Sequence, residues 1–410
     1  MIFQTLAVFT TTSIITLASA SLGVTQDATN DATSLPRTLT GNEAFAIQSF
    51  AHIPDPEKNL AYSPFGVSEA FAMLYAGSRG ETAKDLARVL KFQDQPRKIL
   101  GSFGTLRKAM HALSKKDGFT LKIADSIWSV PTIKKPYIDS IKLNLDADAF
   151  PIDDLGKTKA KMDAWVDEHT EGLIKSAPVR LTPLSRCILM NTVYLNGEWQ
   201  SPFEDFRTRD KDFHLASGDV VDVSMMHQVS NFKYCQLPDS EILAMPYKGG
   251  DVSMIVVLPA EGTAIGDLEK TFTPKTLGAW MSSLSKTKVR VSLPRFTIKN
   301  RIDLGTMLFS MGLPSSVFMA PNLSGISSEE GLLINEAIQD VVFRVDEDGT
   351  EAAAVTVVQV YGRSMPREEV KPVAFNANRP FMFLLRDNTS GSILFMGRVM
   401  DPRGEEPQGS

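Results

Sequence analysis

One stretch near the C-terminus, residues 345–366, limits most strongly what this chain can fold into. It begins with an acidic cluster, passes through Gly349 into small residues, and ends Gly-Arg-Ser-Met-Pro at 362–366. Its alternate positions form an uncharged, proline-free set: Thr350, Ala352, Ala354, Thr356, Val358 and Val360. The opposite face carries Glu351 and Gln359, so the period of two predicts a half-buried strand. Three consecutive alanines favour a helix instead. The sequence of the segment is therefore compatible with a strand but does not require one.

Composition predicts a soluble globular protein with a large core. The chain has 410 residues, of which 43% are hydrophobic and 22% charged. Its net charge of −5 argues against a nucleic-acid partner bound through bulk charge. Cys187 and Cys235 make no disulfide framework and no zinc motif, and the sequence favours two free thiols over a single disulfide.

The N-terminus carries a predicted secretion signal. Residues 1–20 are apolar and small and end Leu-Ala-Ser-Ala, which predicts signal-peptide cleavage after Ala20 and an extracellular protein. The run is too weakly apolar to anchor the chain in a membrane. Residues 21–40, rich in Thr, Ser, Asp and Asn, predict a flexible leader. No linker divides 41–402, so we expect one α+β body followed by a C-terminal tail at 403–410.

Motifs for catalysis and metal binding are missing from the sequence. There is no nucleophile elbow, zinc-binding His-Glu-x-x-His or phosphate loop, so neither an enzyme nor a cofactor is expected. Asp346-x-Asp348-Gly349 suggests a calcium loop, but its register would make Arg344 the first ligand and Val355 the last. The five histidines lack ligand spacing: His52, His111, His169, His214 and His227.

A predicted helix over 96–113 carries Arg97, Lys98, Arg107 and Lys108. These cations could bind a polyanion such as heparin. Charged faces on solvated helices are routine, and the sequence favours that interpretation over a binding site.

Several segments resemble landmarks of the serpin family, and they occur in serpin order across 41–402. The segment 347–356, Glu-Asp-Gly-Thr-Glu-Ala-Ala-Ala-Val-Thr, resembles the hinge of the reactive-centre loop in inhibitory serpins. The other landmarks are 59–67 (Asn-Leu-Ala-Tyr-Ser-Pro-Phe-Gly-Val), 191–199 (Asn-Thr-Val-Tyr-Leu-Asn-Gly-Glu-Trp), 293–297 (Leu-Pro-Arg-Phe-Thr), 321–325 (Pro-Asn-Leu-Ser-Gly), 378–384 (Asn-Arg-Pro-Phe-Met-Phe-Leu) and 394–402 (Leu-Phe-Met-Gly-Arg-Val-Met-Asp-Pro).

The resemblance implies an α+β serpin fold with three β-sheets, eight or nine helices and an exposed reactive-centre loop at 349–366. It also implies a monomer whose loop a serine protease attacks as a substrate. The cut loop then inserts as a middle strand of the large sheet and traps the acyl-enzyme, so the inhibitor is consumed. The implied hinge residues are Gly349, Thr350, Glu351, Ala352, Ala353, Ala354, Val355 and Thr356.

The family spacing of seventeen residues counted from Glu347 places the reactive bond at Arg363–Ser364. An arginine there fits the acidic specificity pocket of a trypsin-like protease. Pro366 biases Met365 toward the extended backbone that a protease cleft holds. The resemblance therefore implies a trypsin-like serine protease as the covalent partner.

The family clusters two serines, an asparagine and a histidine where its large sheet opens. Ser63 and Asn191 match, but Gly66 stands where the second serine is common and Gln339 where the histidine is common. Glutamine can still donate and accept, so these departures concern the rate and pH sensitivity of opening. Trp199 matches the tryptophan usual where insertion begins, and a plain core role stays open beside that one.

A non-inhibitory serpin acting as carrier, chaperone or storage protein is the alternative function. Bulky, charged or proline residues at the inward hinge positions would favour it, and 350–356 has none. The sequence names neither the target protease nor the host. Glycosylation at the sequons of Asn322 and Asn388 is equally undetermined.

Overall fold

The structure, a computed structural model, describes residues 28–113, 118–177, 179–329, 332–350 and 371–404. The predicted signal peptide, most of the predicted loop with its reactive bond, and residues 405–410 lie outside that part. No helix within the described ranges is long and apolar enough to cross a membrane.

The described residues form ten α-helices. They are α1 (Ala28–Phe50), α2 (Pro64–Gly77), α3 (Gly80–Leu90), α4 (Pro96–Leu113), α5 (Lys135–Leu145), α6 (Leu155–His169), α7 (Ile265–Thr271), α8 (Pro274–Ser283), α9 (Leu304–Ser310) and α10 (Ser316–Met319). Helix α2 is apolar on all sides and almost wholly buried, as a helix inside a large core must be. Ser63 caps it by accepting from the backbone N–H of Gly66, and Pro64 starts its first turn.

The strands follow in chain order. They are β1 (Leu60–Tyr62), β2 (Phe119–Ser129), β3 (Asp148–Pro151), β4 (Cys187–Glu198), β5 (Arg209–His214), β6 (Val220–Gln236), β7 (Ser240–Pro246), β8 (Val252–Pro259), β9 (Ser285–Pro294), β10 (Phe296–Asp303), β11 (Ile334–Val345), β12 (Gly349–Thr350), β13 (Val373–Asn376), β14 (Phe381–Asp387) and β15 (Ile393–Val399).

One nine-stranded sheet has the order β1-β15-β14-β8-β7-β6-β9-β13, with β5 paired to β6. Strand β6 pairs with β9 through Met225–Tyr234 and with β7 through Lys233–Gln236. Because this long strand pairs with both β7 and β9, it joins their strands in one sheet. The described residues therefore form two hydrogen-bonded sheets, where three were expected, and ten helices, one of only four residues, and the expected α+β class is confirmed.

The second sheet has six strands in the order β10-β11-β12-β4-β2-β3. Strands β4 and β11 lie at its centre and run parallel to each other, while β2 and β10 pair antiparallel with their outer sides. Helix α2 packs against β4 and β2. The middle of this sheet therefore rests directly on the buried helix that Ser63 caps.

Two expectations from the sequence are tested in this part of the fold. Helix α1 begins at Ala28, so the predicted flexible leader over 21–40 is wrong from that residue on. Thr38 and Asn42 are buried, and the Thr38 hydroxyl donates to Asp94. These contacts attach α1 to the folded body from Thr38 onward. The two cysteines are free thiols, as predicted.

Candidate functional site

Among the described residues, the two central strands of the six-stranded sheet leave a gap between them. Strands β4 and β11 are paired from Cys187 and Ile334 to Asn191 and Gln339. Beyond that point, residues 192–196 and 340–344 are not paired with each other. Both segments are described, and they stay paired with β2 and β10 on their outer sides. The two central strands are therefore closed over one half of their length and separated over the other.

Strand β12 enters this gap from its open end. Thr350 pairs with Val345 on one side and with Gly197 on the other, so the gap is one strand wide there. The Thr350 side chain is buried, and its hydroxyl oxygen lies 2.6 Å from that of Tyr247. Because β12 is antiparallel to both neighbours, it points along the gap toward Asn191 and Gln339.

The turn before β12 is held by a set of polar contacts. The Asp346 carboxylate accepts from the backbone N–H groups of Asp348 and Gly349, each at 3.2 Å. The buried Glu347 carboxylate pairs with Arg295 at 2.5 Å. A Cβ added to Gly349 would lie 1.8 Å from the carbonyl oxygen of Gly197, so only glycine lets the chain pass this close to β4.

Trp199 lies at the entrance to the gap. Its indole N–H donates to the carbonyl of Asp346 at 3.0 Å, and its backbone N–H donates to the carbonyl of Asp348 at 2.7 Å. The ring is buried and stacks on Tyr247 with centroids 4.6 Å apart. The structure thus places Trp199 both in the core and against the turn from which β12 starts.

A buried polar cluster of Ser63, Asn191 and Gln339 holds the closed half of the strands together. The Gln339 amide accepts from the Ser63 backbone N–H at 2.8 Å. It donates to the Ser63 carbonyl and to the Asn191 side-chain oxygen, both at 3.1 Å. Further separation of β4 from β11 would break the Asn191 contact. Glutamine therefore supplies both a donor and an acceptor at the position where the family has histidine.

Gly66 provides space in this cluster. A Cβ built on Gly66 would lie 2.4 Å from the side-chain oxygen of Asn191 and 2.8 Å from a methyl carbon of Val193. The serine that the family has here would not fit without movement of β4 or α2. The close approach of the helix backbone to Asn191 explains this departure from the family pattern.

The predicted exposure of Arg107 on the basic face of α4 is wrong. Its side chain is buried, and one guanidinium nitrogen lies 3.0 Å from both Glu69 and Asp125. Arg97, Lys98 and Lys108 remain exposed on the helix. Three exposed cations do not make the four-residue polyanion site considered from the sequence.

Glu69, Arg107 and Asp125 form a buried charge cluster next to the polar cluster. The Asn191 amide donates to the Asp125 carboxylate at 2.9 Å and so links the two. Burial raises the pKa of Glu69 well above its usual range, against the attraction of Arg107 and reinforced by Asp125. Burial also raises the pKa of Asp125. One guanidinium faces two buried carboxylates, so Glu69 and Asp125 bind and release protons as a pair and not independently.

Sequence reasoning missed Glu69 and Asp125. A signal was present for Glu69, because it is the one charged residue in the apolar run that forms α2. The reactive bond at Arg363–Ser364 and the hinge positions 351–356 lie outside the described residues. Within the described ranges, no three His, Cys, Asp or Glu side chains could hold a metal ion. The site built by the remaining predicted residues is a slot that accepts a strand.

Comparisons with known proteins agree with this geometry. The family model described as "Serpin (serine protease inhibitor)" matches residues 40–402. An uncharacterized serpin-like protein of Thermococcus kodakarensis is 32% identical over 88% of this chain and 84% of its own length. Human serpin I2 is 30% identical over 90% of this chain and 92% of its own.

Among solved structures, human thyroxine-binding globulin complexed with thyroxine superposes with a TM-score of 0.81. It shares 26% sequence identity over 90% of this chain and 99% of its own. The family match, the relatives and the open central sheet agree, and the chain belongs to the serpin family.

Proposed function

We propose that this serpin is a secreted suicide-substrate inhibitor of trypsin-like serine proteases, cleaved at Arg363–Ser364. One observation carries the proposal. Gly349 and Thr350 already form a strand in the gap, directed along it, and an uncharged set of alternate residues follows them in the sequence. A continuing strand would therefore present Thr350, Ala352, Ala354 and Thr356 to the core.

The two ends of the loop explain why insertion waits for cleavage. Its N-terminal end is paired in the six-stranded sheet through β12, whereas its C-terminal end continues into β13, which pairs with β9 in the nine-stranded sheet. A strand cannot fill the gap while its far end is held in the other sheet. Cleavage between the two anchors releases the N-terminal part.

Filling the gap is strongly favourable. A strand between 192–196 and 340–344 would gain backbone hydrogen bonds on both sides, and about ten such bonds contribute on the order of 10 kcal/mol. That amount is comparable to the stability of a whole domain. The protease cleaves the Arg363–Ser364 peptide bond. Its serine forms an ester with the Arg363 carbonyl carbon, and the amine of Ser364 leaves.

The proposal that the protein is secreted rests on residues 1–20 alone, which end in a small-x-small pattern at Ala20. N-terminal sequencing of the protein recovered from the medium of its host cells should begin at Ser21. A product that stays in the cells and begins at Met1 would reject this part of the proposal.

Incubation with trypsin tests the inhibitory function. We expect a covalent complex that survives denaturing electrophoresis, together with release of the fragment that begins at Ser364. The Arg363→Glu variant, which no longer fits the specificity pocket, should give no complex with trypsin. Cleavage of the wild-type loop without any complex would reject inhibition. That result would favour a carrier, chaperone or storage protein, in line with the likeness to thyroxine-binding globulin.

A further inference from the structure

An exposed face of the nine-stranded sheet carries cations on two adjacent strands. Residues paired across strands share one face, and here the pairs are Lys233 with Lys286, Asn231 with Lys288, Val229 with Arg290 and His227 with Ser292. Lys233, Lys286 and Arg290 are exposed and Lys288 is half-buried. We call the four residues Lys233, Lys286, Lys288 and Arg290 the cation face.

The charge of the cation face is uncompensated within the part of the chain that the structure describes. None of the eight paired positions holds Asp or Glu, nor do Ala374 and Asn376, which continue the face on β13. Four arginines elsewhere in the described chain each form an ion pair with a carboxylate: Arg295, Arg301, Arg344 and Arg403. Lys233 lies directly opposite Lys286, and like charges in that arrangement repel each other.

The field around the face is positive beyond these four residues. His227 lies on the same side of β6, and its imidazole is 3.0 Å from the Ser292 hydroxyl. Its pKa is lowered by burial first and then by the charges of Lys211 and Arg209 on β5. Cations on three strands therefore contribute to one positive region.

The cation face lies beside the C-terminal anchor of the loop. Strand β9 pairs with β6 on one side and with β13 on the other, where Ala374 pairs with Arg290. Seven residues lie between Arg363 and Lys371, and the eight steps from one Cα to the next span at most about 28 Å. A protease that holds Arg363 in its active site is thus confined to the neighbourhood of this face.

We propose that the cation face is a docking surface for an acidic patch on the attacking protease. The inference rests on the proposed inhibitory function and adds a preference among proteases of the same cleavage specificity. Opposite surface charges steer two proteins together and raise the association rate. A protein partner fits better than a polysaccharide, because Val229, 43% exposed, lies between the cations as apolar side chains do in protein interfaces.

Anionic and cationic trypsin isoforms share arginine specificity and differ in surface charge, so they isolate this effect. The test variant is K286E/K288E/R290E, and its first substitution places an opposite charge across from Lys233, which favours folding. The matched control is R97E/K98E/K108E, which makes the same change of charge on exposed positions of α4, a helix packed on α1, α2, α5 and β2. The quantities measured are the rate constant for covalent complex formation and the thermal midpoint of each variant.

We expect the wild type to react at least about tenfold faster with anionic than with cationic trypsin at low ionic strength. The difference should fall below about threefold in 0.5 M salt, where the Debye length is only a few ångströms. The test variant should lose the preference, and the control variant should keep it.

Other outcomes overturn the proposal. Equal rates of the wild type with both isoforms, or an unchanged preference in the test variant, would reject the docking surface. If the test variant differs from the wild type only when heparin is added, the face binds a sulfated polysaccharide instead. Failure of the wild type to form any covalent complex would reject the inhibitory function itself, and the gel distinguishes that result from a change in rate.

Discussion

At the scale of single residues, Gly66 shows how closely α2 approaches the central strands. Gly66→Ala would bring a Cβ to 2.4 Å from the Asn191 side-chain oxygen. We expect the free energy of unfolding to fall by about 1–3 kcal/mol, as for overpacking in a core, which chemical denaturation measures.

Gly278→Ala in α8 is the matched control for Gly66→Ala. A Cβ added to Gly278 meets nothing within 4 Å, so the better helix propensity of alanine should stabilise the protein by up to about 1 kcal/mol. Equal effects of the two substitutions would show that α2 and β4 can move apart freely.

Glu69 should make stability depend on pH. Burial raises its pKa in the folded state, so the folded protein binds a proton that the unfolded chain releases above about pH 4.3. The free energy of unfolding should therefore decrease as pH rises from that value to the folded-state pKa, by at most about 1.4 kcal/mol per pH unit.

Glu69→Gln keeps the shape and removes the titration. Denaturation between pH 5 and 8 should show a shallower decrease for this variant than for the wild type. Glu261→Gln, at an exposed position, should leave the wild-type slope unchanged. Identical slopes for all three proteins would mean that Glu69 is ionised in the fold.

At the scale of elements, β12 is the strand from which insertion would continue. Thr350→Arg would place a charge at a buried position beside Tyr247. Burying an unpaired charge costs on the order of several kcal/mol. We expect trypsin to cleave this variant without being trapped, with the ratio of complex to cleaved product read from denaturing gels.

Thr350→Val tests whether charge or the hydroxyl matters in β12. It loses the contact with Tyr247 and leaves that buried hydroxyl without its Thr350 partner, at a cost of about 1–3 kcal/mol, and should still trap trypsin. If Thr350→Arg forms as much complex as the wild type, the loop does not enter the sheet beyond β12.

Helix α4 shows what local pattern can and cannot predict about an element. Its bounds, Pro96–Leu113, agree with the helix predicted over 96–113. The exposed position assigned to Arg107 was wrong. Phe103 and Met110 are buried four residues before and three after it, so helical spacing already placed Arg107 on the apolar face. Its partners Glu69 and Asp125 come from other elements, and the helix alone could not show them.

At the scale of the whole molecule, the described strands β4 and β11 stay apart over half of their length, and β12 is the described strand that lies between them. Cleavage of the loop should raise the thermal midpoint strongly, because a complete sheet replaces an open one and adds on the order of 10 kcal/mol. Calorimetry before and after limited proteolysis within 357–366 measures this change. Cleaved Thr350→Arg should show a much smaller rise, and a wild-type midpoint that cleavage leaves unchanged would reject insertion.

The sequence by itself determined the type and order of the elements and the uncharged alternation after Gly349. These properties are written in residues close together in the chain, where periodicity, caps and spacing act. Only the tertiary structure decided that β4 and β11 separate beyond Asn191, that Gln339 bonds to Ser63 across 276 positions, and that unpaired cations meet on β6 and β9. Those features depend on the register between distant strands and on burial, which long-range packing sets and no local pattern contains.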